Sequence, residues 1–374
     1  MIHRSLVTAT QVLVATALIT GTQSGARAQQ PAHGRLDSIV VHGASLEQNL
    51  VGNSPDRAVS VYLPPSYDKS NRRYPVVYVL HGIMDSPRAW TEPWGPPNQP
   101  NTGFATIQDL MDRGIANGTI AEMILVIPDA DKSCHYTDSP VKGGWASFIA
   151  KDLVQYVDRT YRTVASSDSR ALLGHSMGGH GAIKLAMVQP GVFSAVYAMN
   201  PSMLGWGGEL SRENPQLGEL ARVSTPQQIA GAGFYAQAIV GVGQCFSPNP
   251  AAPLLMDIPF VSPNAEARWT AQMPVYMAPR HAAELKALRG LRFDTAVQDE
   301  YTHIPITTRA LSAVLDSMHV AHTFEIYEGD HRNRLWGENG RLYTIALPYL
   351  SRLIAPDAKL RPPRVLEKVT AREQ

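Results

Sequence analysis

Two five-residue stretches of this chain are almost wholly apolar: Val76-Val77-Tyr78-Val79-Leu80 and Met123-Ile124-Leu125-Val126-Ile127. A strand with one wet face alternates polar and apolar residues, whereas a strand covered on both faces does not. Strands of the second kind belong to parallel sheets with helices above and below. Shorter β-branched runs at 37–41, 58–63, 171–173, 195–199, 291–295 and 323–327 read as further strands. Helical patterns lie between them. Ile149, Leu153, Tyr156 and Val157 recur at i, i+4, i+7 and i+8, and residues 107–115, 181–188, 308–318 and 339–353 are helix-compatible. Strand–helix alternation over this length predicts an α/β fold: a mostly parallel central sheet with helices on both faces.

One stretch breaks the alternation. Within residues 204–288 only 226–239 and 280–288 look helical, around a proline-rich loop at 247–263. Long irregular insertions in compact domains are usually functional, so this one is predicted to be a cap over the carboxyl edge of the sheet. Residues 29–354 are then one α/β domain with a cap-like insertion, and 355–374, with three prolines, a loose tail. The beginning of the chain is not fold. His3 and Arg4, an apolar run from Leu6 to Thr20, and Ala26-Arg27-Ala28 as an A-x-A cleavage site make residues 1–28 a secretory signal peptide. The apolar run is shorter than the ~20 residues a spanning helix needs. A secreted or periplasmic protein with no membrane span after cleavage is therefore expected.

Composition excludes some classes. Hydrophobic residues make up 44% and charged residues 17%, the opposite of a disordered chain. Lys+Arg is 33 against Asp+Glu 32, a net charge of +1, without the basic footprint that nucleic-acid binding needs. Cys134 and Cys245 are the two cysteines; in an oxidising compartment they form one bridge or stay two thiols, and both readings stand. No Cys/His spacing resembles a zinc site.

The chemistry centres on Gly174-His175-Ser176-Met177-Gly178-Gly179, a G-x-S-x-G motif after a short apolar strand and before the helix-compatible run Ala182–Ala186. Small neighbours let a serine stand on a sharp strand-to-helix turn with its hydroxyl clear of the sheet. The helix N-terminus beneath it leaves the Met177 N–H free to donate and favours a developing anion. A serine hydroxyl needs a base, and on such scaffolds the partners follow in the order Ser, acid, His. His331, in Glu328-Gly329-Asp330-His331 after the last strand, is the best base among the twelve histidines. His175 and His180 sit too close to Ser176 in sequence to swing over its hydroxyl and read as packing around the turn; His81 reads as architectural. Asp299 follows the preceding strand and is the expected acid, with Glu300 as rival, Asp294 inside the strand and Asp330 a local partner. Gly82, after the strand at 76–80, lets the Ile83 N–H turn toward the serine as a second oxyanion donor.

Together these segments resemble the Putative esterase family of α/β-hydrolases, which includes S-formylglutathione hydrolases, feruloyl and acetylxylan esterases, and mycolyltransferases. The matching pieces are Tyr74–Gly82, Gly174–Gly179, Asp299-Glu300-Tyr301 and Tyr327–His331. Family members often carry Gly-Thr before the acid, where this chain has Ala296-Val297. The resemblance implies the α/β-hydrolase fold, Ser176 as nucleophile, His331 as base, Asp299 as orienting acid, and Ile83 and Met177 as oxyanion donors. It implies no metal and no organic cofactor. The expected substrate is a small-molecule or polysaccharide-linked ester. Candidate pocket walls are Trp90, Trp94, Trp145 and Trp206, with Tyr136, and an aromatic pocket suits an aryl or apolar acyl group. Two rivals stand beside hydrolysis: an acyltransferase that uses the same triad with an alcohol acceptor, and a catalytically silent exported binding protein.

Overall fold

The computed structural model describes residues 33–93, 106–220, 222–223, 225–337 and 339–362. The segment 1–28 expected to be a signal peptide, Trp94 and residues 363–374 of the tail lie outside them. Eight strands form one sheet: β1 (Arg35–His42), β2 (Asp56–Leu63), β3 (Val76–Leu80), β4 (Ile124–Pro128), β5 (Arg170–His175), β6 (Ala195–Met199), β7 (Gly290–Ala296) and β8 (Thr323–Tyr327). Their spatial order is β1-β2-β4-β3-β5-β6-β7-β8. β1 and β2 pair antiparallel, as do β2 and β4; every later pairing is parallel. Each strand expected from the sequence is present, with ends shifted by at most two residues.

The continuous apolar runs are divided between two cores. Val76, Tyr78 and Leu80 of β3 face one, and Val77 and Val79 face the other. β4 repeats this, with Ile124 and Val126 on the first face and Leu125 and Ile127 on the second. On the first face lie the helical run Trp145–Ser147, Phe148–Leu153 and α2 (Val154–Thr160), then α3 (Met177–Val188), and later α4 (Phe234–Phe246) and α5 (His303–Ser317). On the second lie α1 (Ile107–Ala116) and α6 (Leu347–Ile354). The order reverses at β3, which sits between β4 and β5. In open α/β sheets, ligands bind outside the carboxyl ends of the strands at such a switch point. The ends of β3 and β5 carry Ile83 and Ser176.

Several helices depart from the sequence reading. The helix expected at 226–239 is two, Pro226–Ala230 and Phe234–Phe246, with Gly231 capping the end of the first and Gly233 the start of the second. Glycine costs a helix interior about 1 kcal/mol against alanine, so the pair marks a break. α5 starts at His303 rather than 308, because Pro305 falls in the first turn, where its missing N–H has no helical partner to lose. The described part of the tail is not loose: the Arg361 amide donates to the Gly118 carbonyl at 2.8 Å, and Leu360 packs on the second core. The cysteines are bridged, Cys134 to Cys245, with Cα atoms 5.4 Å apart. No described helix is long and apolar enough to cross a membrane.

Candidate active site

β5 ends at His175, and Ser176 forms the turn into α3 with φ 57° and ψ −117°. This region is strained for any residue with a Cβ. The turn persists because both flanks hold it. The Ser176 amide donates to the Met199 carbonyl of β6 at 2.9 Å, and its own carbonyl accepts from the His180 and Ser202 amides at 3.0 and 3.1 Å. Close packing demands glycine around it. A Cβ on Gly174 would overlap the Gly178 carbonyl, and a Cβ on Gly178 would overlap the carbonyl of Leu80.

The loop after β3 comes up beside this turn. A Cβ on Gly82 would stand 3.7 Å from the Ser176 Cβ. His81 fixes the loop: its Nε2 accepts from the Ala130 amide at 3.0 Å, which leaves Nδ1–H to donate to the Gly82 carbonyl at 2.8 Å. Among the described residues, neither the Ile83 nor the Met177 amide has a protein acceptor. Met177 is the first residue of α3, where orphan amides are expected.

His331 and Asp299 meet from the loops after β8 and β7. The His331 Nδ1–H donates to Asp299 Oδ2 at 2.7 Å, and Asp299 Oδ1 accepts from the Tyr301 amide at 2.9 Å. Both side chains are buried. Burial pushes the His331 ring below and the Asp299 carboxyl above their ordinary values, because it disfavours each charged form. The loop that carries His331 is held by its backbone. The His331 carbonyl accepts from His175 Nε2 at 2.9 Å and Asn200 Nδ2 at 3.1 Å, and its amide donates to Glu300 Oε2 at 3.2 Å. His175, held neutral by burial, thus braces the loop rather than facing the serine as a base.

Of the other carboxylates weighed from sequence, Asp294 is committed elsewhere: it accepts from Arg341 Nε at 2.8 Å and the Tyr197 hydroxyl at 2.7 Å. Asp330 caps a turn by accepting from the Arg332 and Asn333 amides. Glu300 holds the His331 backbone, not its ring.

Ser176 and His331 line one cavity together with Gly82, Ile83, Trp90 and Trp336. Among the described residues no hydrogen bond yet joins the Ser176 hydroxyl to the His331 ring. Catalytic hydrogen bonds in ligand-free sites are often long and close only around substrate. The insertion at 204–288 supplies another wall through Leu210, Phe234, Ala238 and Ile239.

The aromatic candidates divide. Trp90 lines the cavity and packs on Trp336 at 5.7 Å between ring centroids. Trp145 does not line it; the ring is in the core, its Nε1–H donating to the Lys142 carbonyl at 2.9 Å. Trp206 does not line it either, stacking on Trp269 and donating to Thr270 Oγ1 at 2.8 Å. Tyr136 is buried and donates to the His81 carbonyl at 3.1 Å. Each large ring that the helices bury as core is lost to the ligand. Trp336, Tyr301, Glu209 and His303 also line the cavity, and sequence reasoning did not assign them to it. His303 lies four residues beyond Asp299, but it opens a helix of ordinary periodicity and nothing local marks it. Among the described residues no three His, Cys, Asp or Glu side chains gather as metal ligands would.

Comparison with known proteins places this geometry. The family model described as Putative esterase matches residues 54–339. Esterase Rv1288 of Mycobacterium tuberculosis is 32% identical over 154 residues, which are 40% of this chain and 29% of that protein. The endo-1,4-beta-xylanase/feruloyl esterase of Xylanibacter ruminicola is 28% identical over 173 residues, 43% of this chain and 21% of that one. The chain therefore spans under a third of the length of these curated relatives. Among solved structures, a ferulic acid esterase superposes with a TM-score of 0.59 at 21% identity, covering 86% of this chain and 99% of its own. The S-formylglutathione hydrolase FrmB of Staphylococcus aureus superposes with a TM-score of 0.54 at 17% identity, covering 85% and 99%. At these identities the structural likeness speaks for fold alone. The family match takes in Ser176, Asp299 and His331, and by it the chain belongs to the Putative esterase family, on the α/β-hydrolase fold.

Proposed function

We propose that this protein is a serine esterase that cleaves carboxylic esters through an acyl-enzyme intermediate. The observation that carries this reading is the buried 2.7 Å His331–Asp299 hydrogen bond, opening on the same cavity as a serine on a strained strand-to-helix turn. In the proposed cycle the Ser176 hydroxyl attacks the ester carbonyl carbon while His331 Nε2 takes its proton. Asp299 keeps the ring in the Nδ1–H tautomer, so that Nε2 has its lone pair free, and stabilises the imidazolium that forms. The tetrahedral oxyanion accepts from the Ile83 and Met177 amides, which have no protein acceptor at rest. Removing one such donor from comparable sites lowers kcat by roughly 10²–10³. His331 returns the proton to the departing alcohol; a water, deprotonated by the same ring, then hydrolyses the acyl-serine.

The burial of the pair supports this order of events. A ring held neutral by burial keeps its Nε2 lone pair free, and the charge it gains appears only as the oxyanion does. The Trp90–Trp336 pair and the aliphatic wall from the insertion favour an aryl or otherwise apolar acyl group. Named esterases among the relatives, one joined to a xylanase, agree with a small-molecule or polysaccharide-linked ester. Export through the N-terminal segment is part of the proposal, and the Cys134–Cys245 bridge suits an oxidising compartment.

The test is hydrolysis of a panel of p-nitrophenyl and aryl esters by the wild type and Ser176→Ala, with fluorophosphonate labelling of both. Ser176→Ala is expected to lose turnover by a factor on the order of 10⁴ or more and all labelling, while its circular dichroism is unchanged. A variant that stays labelled and active would refute the assignment.

A further inference from the structure

The cavity holds a second imidazole–carboxylate pair that the proposed reaction does not use. The His303 Nδ1–H donates to Glu209 Oε1 at 2.6 Å. The other carboxylate oxygen accepts from the His303 amide at 2.8 Å and the Thr302 hydroxyl at 2.6 Å. Burial alone would raise the Glu209 carboxyl, but the His303 ring and the Thr302 hydroxyl hold it down at about 2. It is therefore an ionised acceptor, and the proton between the two groups stays on His303 Nδ1. That leaves Nε2 as the ring atom open to another partner.

That nitrogen has no protein partner. The His303 side chain is only 6% exposed, and its Nε2 is buried without any hydrogen bond. A buried polar atom left unmet destabilises the fold, and most such atoms in native proteins are satisfied. The position explains the exception, because both His303 and Glu209 line the cavity that contains Ser176. Much of the wall around them is aliphatic, including Leu210, Ile239 and Ile304. An oriented, unmet ring nitrogen beside such a wall suits a ligand whose hydrogen-bonding group is carried on an otherwise apolar body.

We propose that His303, oriented by Glu209, is a recognition site for a hydroxyl group of the substrate, which hydrogen-bonds with Nε2 while the ester carbonyl lies at Ser176. This deepens the esterase reading and rests on it. Nε2 is covered in the free chain, so the hydroxyl enters with a side-chain adjustment in the wall, of the kind that commonly accompanies binding. Glu209 belongs to the insertion and His303 to the helix after the Asp299 loop, so the pair ties the insertion's wall of the cavity to the side that carries Asp299.

The test separates recognition from turnover. Dissociation constants are measured by calorimetry on Ser176→Ala for ethyl 3-phenylpropanoate and for matched esters bearing a hydroxyl: at the ortho, meta or para ring position, or on the alcohol side as the hydroxyethyl ester. At least one hydroxylated ester is expected to bind roughly tenfold tighter than the parent, the worth of one well-placed hydrogen bond. His303→Phe in the same background should abolish that preference, and His303→Gln, which keeps a hydrogen-bonding group, should retain part of it. Glu209→Gln, which frees the tautomer, should weaken the preference. If every hydroxylated ester binds within twofold of the parent, or the preference survives His303→Phe, the site is refuted; if His303→Phe does not fold, the Gln variants decide in the same way. Failure of the esterase reading shows separately, as a wild type that hydrolyses none of these esters whatever their binding.

Discussion

Two acidic neighbours, Asp299 and Glu300, touch the same histidine and do different work. Asp299 meets the ring at Nδ1, and Glu300 meets the backbone amide of His331. Only the first contact fixes which ring nitrogen carries the proton. Replacing Asp299 by Asn offers the ring an amide N–H, which favours the tautomer with Nε2 protonated and unable to take the serine proton. Asp299→Asn is therefore expected to lower kcat by a factor on the order of 10³–10⁴ with little change in KM. Glu300→Gln keeps an oxygen for the His331 amide and should stay within a few-fold of the wild type. Steady-state kinetics on one aryl ester check both, and equal losses in the two variants would overturn the division of roles. Sequence order alone favoured Asp299 but could not exclude Glu300, because one residue's step along a loop turns a side chain from ring to backbone.

At the scale of elements, the decisive unit is β5, the Ser176 turn and α3. The helix begins at Met177, four residues before the stretch that its composition marks, because Gly178 and its neighbours are poor helix formers on their own. Contact with the sheet overrides that preference: without side chains the helix start lies against the Leu80 carbonyl of β3. A methyl group at Gly178 must push β3 and α3 apart, so Gly178→Ala should destabilise the fold by about 1–3 kcal/mol. Gly231 supplies the control. A Cβ there meets nothing within 4 Å, and its φ of −94° suits any residue. Gly231→Ala should leave stability unchanged or raise it by about 0.4–1 kcal/mol. Urea midpoints of the two variants give the comparison, and equal effects would mean that the close approach at Gly178 does not constrain the turn.

Across the whole molecule, the Cys134–Cys245 bridge joins the loop after β4 to α4, which contributes Ala238 and Ile239 to the cavity. The bridged residues are 111 apart in sequence. Closing a loop of that length removes unfolded-chain entropy worth about 3–5 kcal/mol, so Cys134→Ala/Cys245→Ala should lose stability of that order in urea unfolding. Because α4 walls the cavity, KM for aryl esters should rise more than kcat falls. A variant of unchanged stability would show that the bridge contributes nothing. The sequence left bridge and free thiols equally open, since two residues that far apart have no local pattern that reports their separation in space.

What the amino-acid order determined by itself is whatever short-range physics records. Apolar runs such as 76–80 mark strands covered on both faces, and G-x-S-x-G between strand and helix marks the sharp turn at Ser176. The order Ser, acid, His narrowed the partners to Asp299 or its neighbour and His331. Tertiary structure alone decided which rings meet a ligand and which fill the core. Trp90 lines the cavity while Trp145 and Trp206 pack elsewhere, though nothing in their neighbouring residues distinguishes them. It alone also brought Glu209 and His303, 94 residues apart, to 2.6 Å. Local pattern reports the burial and backbone preference of each segment; contact between segments depends on how the sheet orders its strands and where the insertion folds back, and no single segment carries that information.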